Sequence, residues 1–234
     1  MSDKLAACAL CPYETPERIC QKPAGQGPEN CPTLHQASLK REALTALKDP
    51  RAFQFARQAS LQEASGYTGR DQGYARIRPI KPRIVETVEF AQRMGYSRLG
   101  MVFCLGLRQE AAVVHHILET NGFEVVSVLC KVGRVSKSEL NLGPEDQIDM
   151  QASDEVMCNP ILQAFILNHE QTELNIILGL CVGHDSLVLK HSQGMCTVLA
   201  VKDRVLGHNP MAAVYTYDSY SRYLKTPIWE GNGT

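Results

Sequence analysis

Four of the nine cysteines lie close together near the N-terminus, with a spacing that suits a metal ion. The four are Cys8, Cys11, Cys20 and Cys31. The first two form a C-x2-C pair, which lets two thiolates turn toward one ion, and the other two can complete a tetrahedral site. An iron–sulfur cluster, His35 in place of one cysteine, and four unrelated thiols in a flexible tail are the alternatives. The spacing favours a structural zinc site.

The segment that carries these cysteines has few apolar residues and five prolines. Proline excludes helix through most of its length, and a hydrophobic core cannot fold it. Zinc binding can supply the missing free energy, on the order of 10 kcal/mol or more in small modules. We therefore expect residues 1–35 to fold around zinc as a separate segment.

A second set of cysteines falls where predicted strands end. Cys104, Cys130 and Cys181 each follow a predicted strand directly. Cys158 stands at the start of a predicted helix and can reach the same edge from a loop. Because neighbouring strands lie only about 4.8 Å apart, these four thiols can converge on one zinc ion or iron–sulfur cluster. The alternative for each thiol alone is a small buried apolar residue, and we assign that role to Cys196.

Polar residues after the third and fourth predicted strands indicate a ligand site at the same edge. The stretch GLCVGHDS (179–186) predicts a strand that turns through glycine into a short helix, whose N–H groups can bind an anion. The stretch KDRVLGHNP (202–210) returns further polar groups to this edge. We expect a cofactor to be bound by His184, Asp185, Ser186, Lys202, Asp203, Arg204, His208 and Asn209. A small anionic ligand is expected at the same edge, held by basic residues that precede the first α/β helix, Arg76, Arg78, Lys81 and Arg83.

These polar residues also have simpler interpretations. Asp185 or Ser186 can merely cap the short helix, and Asp203 and Arg204 can form a structural ion pair. A further alternative is nucleophilic catalysis by the thiol of Cys181 at the helix N-terminus.

The elements that must position these residues alternate along the chain. Beyond residue 81, apolar runs typical of strands, at 99–103, 123–129, 174–180 and 197–201, alternate with segments of helical periodicity. Such alternation requires parallel pairing with right-handed crossovers. The pattern predicts an α/β fold with a doubly wound, mostly parallel sheet in strand order 2-1-3-4. Ligands of such sheets bind beyond the carboxyl ends of the strands.

Two helices are predicted between the cysteine-rich segment and the sheet. The first covers about 33–48, and the second begins at Asp49-Pro50, because Asp is a good N-cap and Pro a good first helical residue, and continues to Gly66. The chain is therefore expected to comprise a metal-binding segment at 1–35, a helical linker at 36–80 and an α/β domain at 81–234.

Composition and charge exclude several function classes. The net charge is -1 and no long Lys/Arg stripe occurs, so we expect no nucleic-acid partner. No stretch approaches the roughly 18 apolar residues of a membrane span, and no export signal is recognisable, so we expect no membrane association and a cytoplasmic location. In that compartment, abundant cysteine indicates metal binding or thiol chemistry rather than disulfides.

The cysteine motif and three later stretches resemble a family of uncharacterised metal-binding proteins that share a domain of unknown function. The stretches are MCNP (157–160), GLCVGHDS (179–186) and KDRVLGHNP (202–210). The resemblance implies metal binding and assigns no reaction. Two functions remain open: a metal- or cluster-dependent enzyme or redox protein with its working centre at the sheet edge, and a noncatalytic zinc-binding module for sensing or interaction.

Overall fold

The computed structural model describes residues 5–228 and divides the chain into two compact units, Met1–Ser65 and Gly66–Thr234. The first unit contains α1 (Pro32–His35), α2 (Ala37–Ala46) and α3 (Pro50–Ser65). The helix predicted at 33–48 is thus two helices, because the backbone leaves the helical region at Gln36. The Asp49 carboxylate accepts hydrogen bonds from the N–H groups of Arg51 and Ala52 at 3.0 and 2.9 Å, which confirms the predicted cap of α3.

The second unit is built on a four-stranded parallel sheet. Its strands are β3 (Arg98–Phe103), β4 (Glu124–Leu129), β5 (Leu174–Leu178) and β6 (Met195–Ala200), and a separate antiparallel pair is formed by β1 (Tyr67–Thr68) and β2 (Arg78–Pro79). The order across the sheet is β4-β3-β5-β6, which confirms the order predicted from the alternating pattern. The chain winds from β3 to β4 in one direction and on to β5 and β6 in the other, so β3 and β5 flank the switch point.

Helices cover both faces of this sheet. They are α4 (Arg83–Met94), α5 (Arg108–Thr120), α6 (Pro160–His169) and α7 (His184–His191), followed by the short α8 (Met211–Tyr215). α4 ends at Gly95, whose left-handed φ of 72° closes the helix as the sequence predicts. None of the helices within residues 5–228 combines the length and apolar character needed to span a bilayer.

The core forms two apolar layers because successive side chains of a strand point to opposite faces. Met101 and Ile176 pack with α4 and α5 on one face, whereas Val102 and Ile177 pack with α6 and α7 on the other. All of β5 is buried. Each such fully buried aliphatic side chain stabilises the fold by about 1.5–3 kcal/mol, so the sheet is a rigid support for its edge.

Two residues shape the carboxyl edge of the sheet. The buried amide of Gln163 on α6 donates to the carbonyls of Val128 and Phe103, at 2.7 and 3.4 Å, and so ties together the ends of β4 and β3. Gly179 follows β5 with a left-handed φ of 65°, and a Cβ there would lie 1.9 Å from Cδ1 of Leu107. Only glycine therefore lets the chain leave β5 toward the next turn.

Candidate metal and thiol sites

The structure brings the four predicted sheet-edge cysteines together. The thiol of Cys130 is hydrogen-bonded to that of Cys158. Cys158 is also close enough to Cys104 and Cys181 for their charges to affect its ionisation. Cys158, which arrives from the loop before α6, therefore lies near all three strand-end cysteines.

Main-chain hydrogen bonds hold the central pair in place. The N–H of Leu105 donates to Sγ of Cys130 at 3.3 Å, and the N–H of Asn159 donates to the Cys130 carbonyl at 2.7 Å. The Asn159 side chain in turn accepts from the N–H of Leu162 at 3.0 Å and caps α6. The start of α6 and the end of β4 are thus joined beside the two sulfur atoms.

The hydrogen bond between the two thiols separates their proton affinities. Donation from Cys130 lowers the pKa of the Cys158 thiol from 9.0 to about 7, with help from the Lys131 ammonium and against burial and the charges of Cys181 and Cys104. The same hydrogen bond, followed by burial, raises the pKa of Cys130 far above its usual range. Near neutral pH the pair therefore holds a proton on Cys130 and a partly ionised sulfur on Cys158.

Two cations border the thiol group. Nη2 of Arg204 donates to Sγ of Cys181 at 3.0 Å. Nζ of Lys131 donates to the Val156 carbonyl and lies 3.7 Å from a carboxylate oxygen of Glu155. Sequence reasoning included Arg204 but missed Lys131, although its position directly after Cys130 at a strand end was the available signal.

The turn after β5 carries three of the predicted ligand residues. His184 is half-buried, and burial lowers its pKa, with Lys131 and Arg204 acting in the same direction and Asp185 opposing them. The Asp185 carboxylate accepts from the N–H groups of Gly183 and Ser186, at 3.1 and 2.8 Å. The structure therefore places His184 near the thiol group, while Asp185 and Ser186 stabilise the start of α7.

The stretch after β6 forms its own turn. The Asp203 carboxylate accepts from the N–H groups of Val205 and Leu206, at 3.0 and 2.7 Å. The N–H of Asp203 donates to Nδ1 of His208 at 3.2 Å, and Asn209 continues the turn by donating its N–H to the Leu206 carbonyl. The Asp203 carboxylate therefore stabilises the turn by accepting hydrogen bonds from backbone N–H groups. The Arg204 side chain extends to Cys181 instead.

Lys202 lies at the same edge as the cysteines. A Cβ built on Gly106 would stand 2.9 Å from its Nζ, so this ammonium lies against the turn that follows Cys104. Among the described residues its side chain has no hydrogen-bond or ion-pair partner. Together with Arg204 and Lys131, it makes the surroundings of the thiols cationic.

The four N-terminal cysteines line one cavity of about 60 Å³ within the first unit. A turn joins the N–H of Cys11 to the carbonyl of Cys8 at 3.3 Å, and the carbonyl of Cys31 accepts from the first turn of α1. Gly27 leaves room for the fourth thiol, since a Cβ there would be 2.9 Å from Sγ of Cys31. Cys20 also lines the cavity, and no residue from 5 to 36 is buried.

Both cysteine groups have a donor set suited to a soft metal. All nine cysteines are free thiols. Within residues 5–228, however, no three His, Cys, Asp or Glu side chains already stand close enough together to hold an ion. Metal binding at either group therefore requires the thiols to draw closer, for which the N-terminal cavity leaves space.

Comparison with known proteins places the chain in a family. A family model described as a protein of unknown function (DUF1847) matches residues 31–199, a range that contains the four sheet-edge cysteines and Cys31. An uncharacterised protein of Methanocaldococcus jannaschii is 46% identical over 151 residues, which cover 64% of this chain and 73% of that relative. No solved structure matches the chain. Neither description names a metal or a reaction, so metal binding stays a prediction. The chain belongs to the DUF1847 family of proteins of unknown function.

Proposed function

We propose that this protein binds a soft metal ion or an iron–sulfur cluster at the carboxyl edge of its sheet. The ligands are Cys104, Cys130, Cys158 and Cys181. The observation that supports the proposal is that Cys158 lies near enough to the other three thiols for each of them to affect its pKa. Thiolates select zinc and iron–sulfur clusters over hard cations. When bound, a cluster would supply one-electron transfer and zinc would supply Lewis acidity.

The residues around the thiols have defined tasks in this proposal. Lys131 and Arg204 offset the negative charge that several thiolates would bring to one place. Burial of Cys130 and its hydrogen bond from Leu105 hold one ligand in place, whereas Cys158 lies on a loop and is able to move toward an ion. His184 lies near Lys131 and Arg204 and can orient a bound group.

The N-terminal cysteines are proposed to bind a structural zinc ion. Four thiols around one small cavity, with no buried residue between positions 5 and 36, are what a metal-dependent fold requires. Replacing Cys8 and Cys11 together by Ser should remove one zinc per chain and loosen residues 1–35, while the sheet remains folded. Zinc analysis and hydrogen exchange measure both effects, and an unchanged zinc content would exclude the assignment.

The sheet-edge site is tested by metal analysis and an anaerobic absorption spectrum of the whole protein. Cys104→Ser and Cys181→Ser should each lower the content of a second metal or cluster without changing the N-terminal zinc. Cys196→Ser is the matched control, because that half-buried thiol lies near the start of β6, where it packs against the core and donates a hydrogen bond to the Gly194 carbonyl. A second metal that persists in both ligand variants, or never binds, contradicts the proposal.

The cations at this edge also support the predicted small anionic ligand. Lys202 has no acceptor among the described residues and lies beside the turn that follows Cys104. Lys202→Gln should weaken binding of inorganic phosphate in calorimetry, whereas Lys190→Gln, on the exposed side of α7, should not. Equal binding by the two variants would remove the anion from the proposal.

A noncatalytic interaction module is the second candidate. It is favoured by large apolar side chains that stand in solvent on the helices of the first unit. Leu39, Leu44 and Phe53 are 56%, 53% and 58% exposed. A partner protein could cover such apolar side chains. Colourless protein with a single zinc ion would favour this function over a sheet-edge metal centre.

A further inference from the structure

We propose that Cys130 and Cys158 form a dithiol redox couple that small-molecule disulfides oxidise to an intramolecular disulfide. The modification site is this cysteine pair at the carboxyl edge of the sheet, and the substrate class is small-molecule disulfides. Disulfide formation does not depend on bound metal. Oxidation would also remove two of the proposed metal ligands at once. Only this consequence rests on the proposed function.

The first argument is the contact between the two side chains. The partly buried Cys158 packs in the same apolar cluster as the buried Cys130, and the two thiols shift each other's pKa in opposite directions. The Cys181 sulfur is instead held by Arg204 at 3.0 Å. Packing therefore favours Cys130 and Cys158 as the pair for covalent bonding.

The second argument is that the backbone keeps this pair together. The N–H of Asn159 donates to the Cys130 carbonyl at 2.7 Å, directly beside both cysteines. The N–H of Met157 donates to the Val135 carbonyl at 2.8 Å, and Ser136 pairs with Val156 in an isolated antiparallel bridge. The loop that separates the two cysteines is thus closed at its base, and disulfide formation needs little movement of the main chain.

The third argument concerns the order of the two steps. Cys130 is only 2% exposed, while Cys158 is partly accessible to solvent. The sulfur of Cys158 therefore attacks the external disulfide, forms a mixed disulfide and releases one thiol. Cys130 then loses its proton, attacks the Cys158 sulfur and releases the second thiol. In total, two protein thiols and one small disulfide give one protein disulfide and two small thiols.

The test treats the reduced, chelator-treated full-length protein with oxidised glutathione and locates the products by peptide mapping and mass spectrometry. Whatever happens at the N-terminal thiols, the expected product contains the peptides of Cys130 and Cys158 linked to each other, and this linked pair lacks two hydrogens. The Cys130→Ser variant should accumulate one glutathionyl group on Cys158, because the resolving thiol is gone. The Cys158→Ser variant should leave the buried Cys130 unmodified, and Cys196→Ser should behave as the parent.

Other products overturn the proposal. A disulfide that links Cys104 to Cys130 or to Cys181, or intramolecular disulfide formation at Cys158 in the Cys130→Ser variant, would show that the wrong pair was chosen. Cys130→Ala with an unchanged circular dichroism spectrum guards against misfolding of the serine variant, and it should trap the same mixed disulfide. If the couple forms but metal analysis finds no second metal, the proposed function fails and the redox couple stands.

Discussion

The ionisation of Cys158 offers the sharpest test of the site geometry. Its thiol pKa is lowered from 9.0 to about 7, and the largest cause is the hydrogen bond from Cys130. Cys130→Ala removes that donor, so the pKa of Cys158 should rise toward 9.0. At pH 7 the ionised fraction would fall from about one half to about 1%, a decrease on the order of 50-fold.

The observed rate of alkylation should change less than the ionised fraction. A more basic thiolate is also a better nucleophile, with a Brønsted slope of about 0.4–0.5, and over two pKa units this recovers roughly six- to tenfold. The rate at pH 7 should therefore drop by roughly five- to tenfold. The midpoint of the pH–rate profile should move upward by up to about two units.

The assay is alkylation of the reduced, chelator-treated protein by iodoacetamide between pH 5 and 10, with the Cys158 peptide followed by mass spectrometry. Lys131→Gln should raise the midpoint by a smaller amount, because its charge contributes less than the hydrogen bond. Cys196→Ala should leave the profile unchanged. A midpoint that stays near 7 in Cys130→Ala, or a larger shift in Lys131→Gln, would refute the account of this pair.

Two glycine substitutions, with a third as control, test the packing at the sheet edge and in the N-terminal cavity. Gly179→Ala should lower the free energy of unfolding by roughly 2 kcal/mol or more in urea titrations, since it adds a clash with the buried Leu107 to the cost of a positive φ. Gly122→Ala, with a similar φ but open space, should cost only about 1 kcal/mol, and equal losses would contradict the steric argument. Gly27→Ala should weaken zinc binding by roughly tenfold in chelator competition, because its Cβ crowds Cys31, and unchanged affinity would separate that cavity from the metal.

Much of the architecture was predictable because it depends on local pattern. The apolar runs, the helical spacing and the caps at Asp49 and Gly95 mark the elements, and parallel winding then brings the strand ends to one edge. The positions of Cys104, Cys130 and Cys181 at that edge follow from the same pattern. The broken helix at Gln36 was not predictable, because the periodicity of 33–48 continues across it.

The details of the site depended on contacts that the sequence pattern does not contain. The polar residues after β6 looked equivalent, yet Asp203 and His208 bind within their own turn whereas Arg204 reaches Cys181. Which polar group faces the site depends on a few hydrogen bonds between residues of an irregular turn. No periodicity encodes such bonds.

The sequence by itself determined that cysteines would gather at two places, because spacing places the N-terminal four in one segment and strand periodicity places three others at one sheet edge. Only the tertiary structure decided that Cys158 joins the second group and that it packs in the cluster of Cys130. The physical reason is that the loop between them is irregular. Its path is set by long-range hydrogen bonds, above all from Asn159 to the Cys130 carbonyl, which form only when the sheet and α6 are already packed.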